Sequence, residues 1–484
     1  MVLDMTNLFI AFISGYYIIS APACHSQLNL KIVFDKIFYC VRNANMIYYK
    51  QLDTKGKIVK MKKSVFAVVA ALTIGSAFPA GLGIYEASSR GNALGGTLVG
   101  STKDATAVYY NPANMSEMTN AALYVGTTFI NPYCDTEVDH VGQPKMNAGW
   151  FTVPTFYATV PLPFDFWFGL GGYSEYGLGT KYGEHWALAG DTVKTTIEQY
   201  SINPALAYRI TDWWSVAAGL RISYVDFKTK KHPYEGNSFF YEPLGLTLGG
   251  YPDAYHLSTN LKGDDMSLGY NLATSFRITD SLSLGIHYRS RIEHQIKGHF
   301  NLAGDVDTPA GSVDQGARRS AKFDITAPQS ATVGLNYEIL DTWRIGGAAT
   351  WTEWSTFDAI DFKIPGYGYK LPLKWRDVWR FGIGSEYDVC DALSLRLSYV
   401  YDVDPTCHHG TTMLPSGNRQ IIGFGLGWWI LDNLRLDLGY SFIVMHRANR
   451  FVNVNTPSGD IEAHRFSTDN GYSHLVSVGV AYMF

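Results

Sequence analysis

The chain of 484 residues carries 39 basic and 43 acidic side chains, a net charge of −4 that offers no basis for binding nucleic acid. Charged residues amount to only 17%, few for a soluble protein of this size, whereas aromatics reach 14% with 32 tyrosines, rings suited to the boundary between lipid and water. That length would ordinarily make two or three soluble domains, but a closed membrane barrel uses it as one unit.

Two apolar segments lie near the start. Met61-Lys62-Lys63 followed by SVFAVVAALTIGSA has the basic, apolar and small-residue parts of a secretory signal, predicted over 61–80 with cleavage after Ala77 or Ala80. The earlier run Leu8 to Ala23, roughly sixteen residues, is short for a membrane-spanning helix. Residues 1–60 are therefore read as an upstream extension from an over-called start. Cys134, Cys390 and Cys407 then remain, without metal-type spacing. Cys134 and Cys407 fall in connections assigned to the outside, so a bridge between them stays open. An odd total argues against a disulfide framework, and unpaired thiols are expected.

Residues 81–119 are rich in Gly, Ala, Ser and Asn and too poor in large apolar side chains to build a core alone. They need a wall supplied by the rest of the chain. Within them stands Asn111-Pro112-Ala113. Pro112 fixes its own φ and pushes Asn111 out of helical geometry, while the Asn111 amide can both donate and accept hydrogen bonds. The triplet either merely bounds a helix or strand or holds the segment in place.

From 120 to 484 about fourteen runs alternate apolar and polar residues, among them 196–209, 213–227, 265–278, 281–296 and 322–338. Turns of one kind recur between them: Ile210-Thr211-Asp212-Trp213, Ile278-Thr279-Asp280-Ser281, Ile339-Leu340-Asp341-Thr342, Val389-Cys390-Asp391-Ala392 and Ile430-Leu431-Asp432-Asn433. Aspartate suits a tight hairpin because its carboxylate bonds nearby backbone N–H groups. Short turns on one side and longer connections on the other predict an all-β fold, a transmembrane antiparallel β-barrel of about fourteen strands over 120–484. Leu393, Leu395, Leu397, Tyr399 and Tyr401 share one face of a strand, and in lipid that face points outward.

The third run, FWFGLGGYSEYG, is unusually rich in glycine. Gly169, Gly171, Gly172 and Gly177 suggest a bulge that opens the wall sideways, or simply room for residues 81–119. The connection Lys228 to Asp264 is the longest and most apolar. Phe239, Phe240, Leu244, Leu246 and Leu248 are candidates for a surface groove that captures an amphiphile, or for a cap folded on itself. The connection Lys297 to Ser320 is Asp- and Gly-rich. Alternation turns Arg380, Arg396 and Arg435 inward, where an arginine either meets a ligand carboxylate or pairs with acids such as Glu386 and Asp437.

GLGIYEASSRGNALGG at Gly81, the run Asp104 to Ala113 ending in Tyr109-Tyr110-Asn111-Pro112-Ala113, and the terminal Tyr482-Met483-Phe484 resemble the FadL/TodX family of outer-membrane transporters. Trp354, Trp375, Asp377, Tyr401, Asp402, Pro405, Leu414, Pro415 and Arg419 extend the resemblance over the chain after Gly81. It implies a monomeric 14-stranded barrel in the bacterial outer membrane, plugged by an N-terminal hatch that the Asn-Pro-Ala triplet anchors. It implies passage of long-chain fatty acids or other hydrophobic small molecules, with a kinked third strand as a lateral exit. It also implies two capture loops, from which the polar Lys297–Ser320 connection departs. The partners expected are a greasy ligand and outer-membrane lipids, with no cofactor, metal or nucleic acid. No GxSxG elbow or HExxH appears, and His408-His409 reads as a solvated pair. A general porin and a surface adhesin or receptor are the alternatives.

Overall fold

The computed structural model describes residues 81–138, 145–147, 149–184, 186, 188–232, 255–308, 311–314, 316–365, 367–407, 411–455 and 461–484, all within one compact unit, Ala71–Phe484. The expected signal segment, the upstream extension and the groove residues Phe239, Phe240, Leu244, Leu246 and Leu248 lie outside the described residues.

Fourteen antiparallel strands make a closed wall. They are β1 (Ala122–Val138), β2 (Phe151–Pro161), β3 (Phe166–Tyr173, resuming as Gly177–Lys181), β4 (Lys194–Thr211), β5 (Trp214–Lys231), β6 (Tyr255–Arg277), β7 (Leu282–Arg289, resuming as Ile292–Thr308), β8 (Ala317–Ala327, resuming as Ser330–Leu340), β9 (Trp343–Thr352), β10 (Val378–Cys390), β11 (Leu393–Asp402), β12 (Arg419–Leu431), β13 (Leu434–Met445) and β14 (Ile461–Met483). Each pairs with its neighbours in sequence, and β14 closes on β1 from Ala122↔Met483 to Val138↔Phe466. Closure removes the free edges of an open sheet, which matters in hydrocarbon because unmet backbone groups are costly there, and the pairing is interrupted between β2 and β3. Four of the five expected tight turns hold: Asp212, Asp341, Asp391 and Asp432 each sit in a two-residue connection, preceded by a register shift of the β-bulge kind, whereas Asp280 sits in a four-residue connection between Arg277 and Leu282.

The strands run farther than the alternation suggested. β6 begins at Tyr255 rather than near 265, β7 continues to Thr308 and β8 starts at Ala317. The Lys297–Ser320 connection, expected as a loop, is largely paired strand. The reason is a reversal of polarity along the strands of this side, seen in β4, β5 and β6. In β5 the outward face passes from Leu220 and Tyr224 to Asp226 and Lys228, while the inward face passes from Arg221 and Ser223 to Val225 and Phe227. The same step falls between Tyr200 and Glu198 in β4 and between Met266 and Asp264 in β6, and these residues are direct cross-strand partners. Below that level the wall is greasy outside, as lipid requires; above it the wall stands in water and turns its apolar side chains into the lumen.

The upper lumen accordingly holds a packed apolar cluster that includes Phe227, Ile296, Phe323, Phe362, Trp354 and Trp375. Cys134 is buried in β1 and Cys407 is partly exposed beyond β11; both thiols are free.

Candidate functional site: the hatch, the broken third strand and the upper lumen

Inside the wall lies the segment that precedes β1. It folds into short pieces: helix α1 (Ser89–Ala93), a 3-10 turn (Thr97–Val99), helix α2 (Ala107–Tyr110) and a second 3-10 turn (Pro112–Glu117). Ser88 caps α1 by accepting from the Gly91 N–H. Few of its carbonyls are satisfied within such short helices, and wall side chains meet several of them. Tyr157 Oη donates to Ala87 O at 2.9 Å, Arg289 Nη2 to Tyr109 O at 2.6 Å, His287 Nδ1 to Tyr110 O at 3.0 Å and Arg380 Nη1 to Gly95 O at 3.2 Å.

Asn111, Pro112 and Ala113 are fully buried. Asn111 has extended backbone and accepts from the Ala113 N–H at 3.0 Å, so it caps the second 3-10 turn with Pro112 at its first position. Its Nδ2 also donates to Val99 O at 3.0 Å and to Thr274 O of the wall strand β6 at 3.1 Å. One side chain thus closes a local turn and ties the hatch to the wall. The neighbouring wall position must be glycine, because a Cβ on Gly285 would lie 1.9 Å from Val99 O.

The third strand is interrupted. Its lower part pairs with β2 only as far as Phe156↔Gly172 and with β4 as far as Tyr173↔Ser201. It resumes at Gly177↔Glu198, paired with β4. Ser174, Glu175 and Tyr176 therefore oppose only Gln199 and Tyr200, one residue too many for a regular ladder. Above Phe156, β2 has no ladder partner on its β3 side among the described residues. The extra residues are held inward: Gln199 Oε1 accepts from the Glu175 N–H at 2.7 Å, and Ile84 N and Gly177 N bond across to Glu175 O and Leu82 O at 2.7 and 2.9 Å. The Glu175 carboxylate takes Arg221 Nη2 at 2.5 Å and stands 3.2 Å from Arg289 Nε.

The glycines named from sequence sit around this break. Gly169 and Gly171 face the hatch, where an added Cβ would press on Met115 and Val108; Gly172 lies under the Phe156 ring, and Gly177 begins the upper segment. The break itself is made by Ser174, Glu175 and Tyr176, which residue type alone did not single out. A lone carboxylate in a glycine-rich wall strand was the available signal.

Of the three arginines, two are matched to acids. Arg396 reaches Glu386 and Asp437, each at 2.6 Å, and Arg435 reaches Asp104 at 2.8 Å and Asp437 at 3.0 Å. Arg380 differs. Its guanidinium lies 4.3 Å from the Tyr85 ring centroid, it forms no ion pair among the described residues, and its buried Nε has no hydrogen-bond partner. Trp354 and Trp375 pack in the upper cluster with ring centroids 5.2 Å apart, Asp377 accepts from the Ser355 N–H at 3.0 Å, and Arg419 pairs with Asp402.

Residues 67–484 match the family described as outer membrane protein transport protein (OMPP1/FadL/TodX). A long-chain fatty acid transport protein of Escherichia coli O6:H1 is 25% identical over 410 residues, covering 79% of this chain and 90% of that protein. A 47 kDa outer membrane protein of Pasteurella multocida is 26% identical over 445 residues, covering 88% and 100%. Among solved structures, a Pseudomonas aeruginosa FadL homologue shares the fold with a TM-score of 0.72 at 21% identity, over 83% of this chain and 99% of its own. The toluene transporter TodX of P. putida does so with a TM-score of 0.64 at 16% identity, over 83% and 99%. With its closed fourteen-stranded wall, its internal hatch and a match that spans both, the chain belongs to the OMPP1/FadL/TodX family of transport proteins of the bacterial outer membrane.

Proposed function

We propose that the protein carries long-chain fatty acids or other hydrophobic small molecules across the outer membrane, acting as a monomer and without chemical change to its cargo. The observation that carries the route is the interrupted ladder between β2 and β3, beside Tyr176, which packs against the apolar cluster of the upper lumen. A ligand drawn from water gains about 0.8 kcal/mol for each methylene buried there. Phe239, Phe240, Leu244, Leu246 and Leu248, outside the described residues, are proposed from sequence alone to supply surface capture. The ligand leaves sideways through the break in β3, flanked by Gly169, Gly171, Gly172 and Gly177, rather than through the hatch. Arg380 is the interior arginine left to meet a carboxylate head, since Arg396 and Arg435 already have acidic partners.

The register supplies the test. Removing Glu175 leaves two residues opposite Gln199 and Tyr200 and makes the β3 ladder continuous. Glu175→Gln removes the same charge but keeps the extra residue. Uptake of a radiolabelled long-chain fatty acid by cells carrying equal amounts of assembled barrel should be largely lost in the deletion and largely kept in Glu175→Gln. Full uptake by the deletion variant would refute the sideways route.

A further inference from the structure

Beneath the hatch, on the side of the short turns, charged side chains close a ring. Arg90 of α1 grips Glu386 with Nε at 3.0 Å and Nη2 at 2.9 Å, and touches Asp104 with Nη1 at 3.2 Å. Asp104 takes Arg435 at 2.8 Å, Arg435 takes Asp437 at 3.0 Å, Asp437 takes Arg396 at 2.6 Å, and Arg396 returns to Glu386 at 2.6 Å. Three guanidinium groups alternate with three carboxylates. Asp104 and Arg90 come from the hatch, the other four from β10, β11 and β13.

The ring is nearly dry. Side-chain exposure is 0% at Asp437, 1% at Asp104 and Arg396, and 13% at Arg90, the most open member. Arg90, Glu386, Arg396 and Arg435 of the ring line a cavity of about 610 Å³ together with Asp341, Arg344, Asp388 and Asp391, residues at or beside the turns. Arg344 extends the ring outward, binding Glu386 at 3.0 Å and Asp388 at 2.7 Å. A buried ion pair adds little over apolar packing, but removing one partner strands the others without water, a severe cost. Such a ring is therefore a weak glue for a wall already held by its ladders and a strong constraint on the hatch, which joins the wall sheet through the isolated bridge Gly83↔Tyr176 rather than through a ladder.

We propose that Arg90, Asp104, Glu386, Arg396, Arg435 and Asp437 are positioning residues that form a latch, keeping the hatch seated and the periplasmic end of the lumen shut. Unseating the hatch pulls Arg90 and Asp104 out together, leaving Arg435 of β13 with Asp437 as its one acidic partner and taking from Glu386 of β10 the two-pronged grip of Arg90. A hydrophobic ligand brings no charge into that ring to replace them. The latch rests on the transport reading for its purpose, yet its test needs no ligand, so either can fail alone.

Purified protein in a planar bilayer should pass almost no ion current. Asp104→Asn, which leaves Arg90 and Arg435 short of a charge, should shift the seated-to-unseated ratio on the order of a hundredfold. Frequent ion-conducting openings should then appear, and Asp104→Glu should return the current toward zero. A thiol reporter gives a second readout. With Cys24, Cys40, Cys134, Cys390 and Cys407 replaced by Ser, an Ala107→Cys thiol, fully buried in α2, should resist a membrane-impermeant maleimide in the parent and react in the Asp104→Asn background. Heat-modifiable migration in detergent should remain, since the wall ladders are untouched. If Asp104→Asn fails to assemble, Arg90→Lys carries the test, because it keeps the charge and loses the two-pronged grip on Glu386. Assembled variants that stay non-conducting with the reporter protected would overturn the latch.

Discussion

Asn111 shows how much one buried amide can hold. Its three hydrogen bonds join a local turn, a neighbouring hatch segment and the wall. Asn111→Ala removes all three and leaves the Thr274 carbonyl and the Ala113 N–H without those partners, which should cost the seated hatch about 1–3 kcal/mol. Hydrogen exchange read by mass spectrometry should quicken over 107–117 while wall peptides stay as they were. Arg380→Met tests the other isolated residue: uptake of a fatty acid should fall more than uptake of toluene, because only the former carries a carboxylate. The Asn-Pro-Ala geometry was legible in advance since backbone restriction at Pro112 is local. The clasp of Arg221 on Glu175 was not, because it joins side chains 46 positions apart.

At the scale of the element, β3 keeps its break because several unrelated groups hold the extra residues inward. Arg221 is 0% exposed and its partner Glu175 only 5%. Arg221→Met leaves that carboxylate with Arg289 and the Ser201 hydroxyl, and loss of one member of a buried pair typically costs about 3–5 kcal/mol. The expected result is faster amide exchange across 174–181 than across Phe166–Tyr173, in an otherwise assembled barrel. All fourteen runs expected from alternation became strands, because a lipid-facing stripe imposes a period of two on every one of them. Their upper ends run farther than alternation alone indicates, for a reason visible in β6, β7 and β8. Seeking apolar residues outside, one stops at Met266, although Asp264, Lys262, Lys297 and Lys322 continue the same outward face in water.

For the whole molecule, the level of that polarity step fixes how deep the barrel sits. Leu397 lies within the greasy belt, 47% exposed, whereas Lys322 projects from β8 above it. Leu397→Lys should destabilise the barrel by about 2–4 kcal/mol, and Lys322→Leu should change it by less than about 0.5 kcal/mol. Reversible urea unfolding from lipid vesicles measures both. Equal effects would mean the belt has been placed at the wrong height. Closure of the wall was foreseeable from the even strand count and the side on which the chain ends. The fit of hatch to wall was not, since it depends on backbone approaches such as Val99 to Gly285 that leave no trace in alternation.

The break in β3 lies at the same height as the step from Tyr200 to Glu198. A molecule emerging there with a polar end and a hydrocarbon tail meets headgroups and acyl chains at once, each end beside its own kind of surroundings. It can rotate into the outer leaflet without dragging its head through oil. On the proposed sideways route a cargo with no polar end gains nothing from that height, so the position of the break would favour amphiphiles before any pocket has discriminated among them.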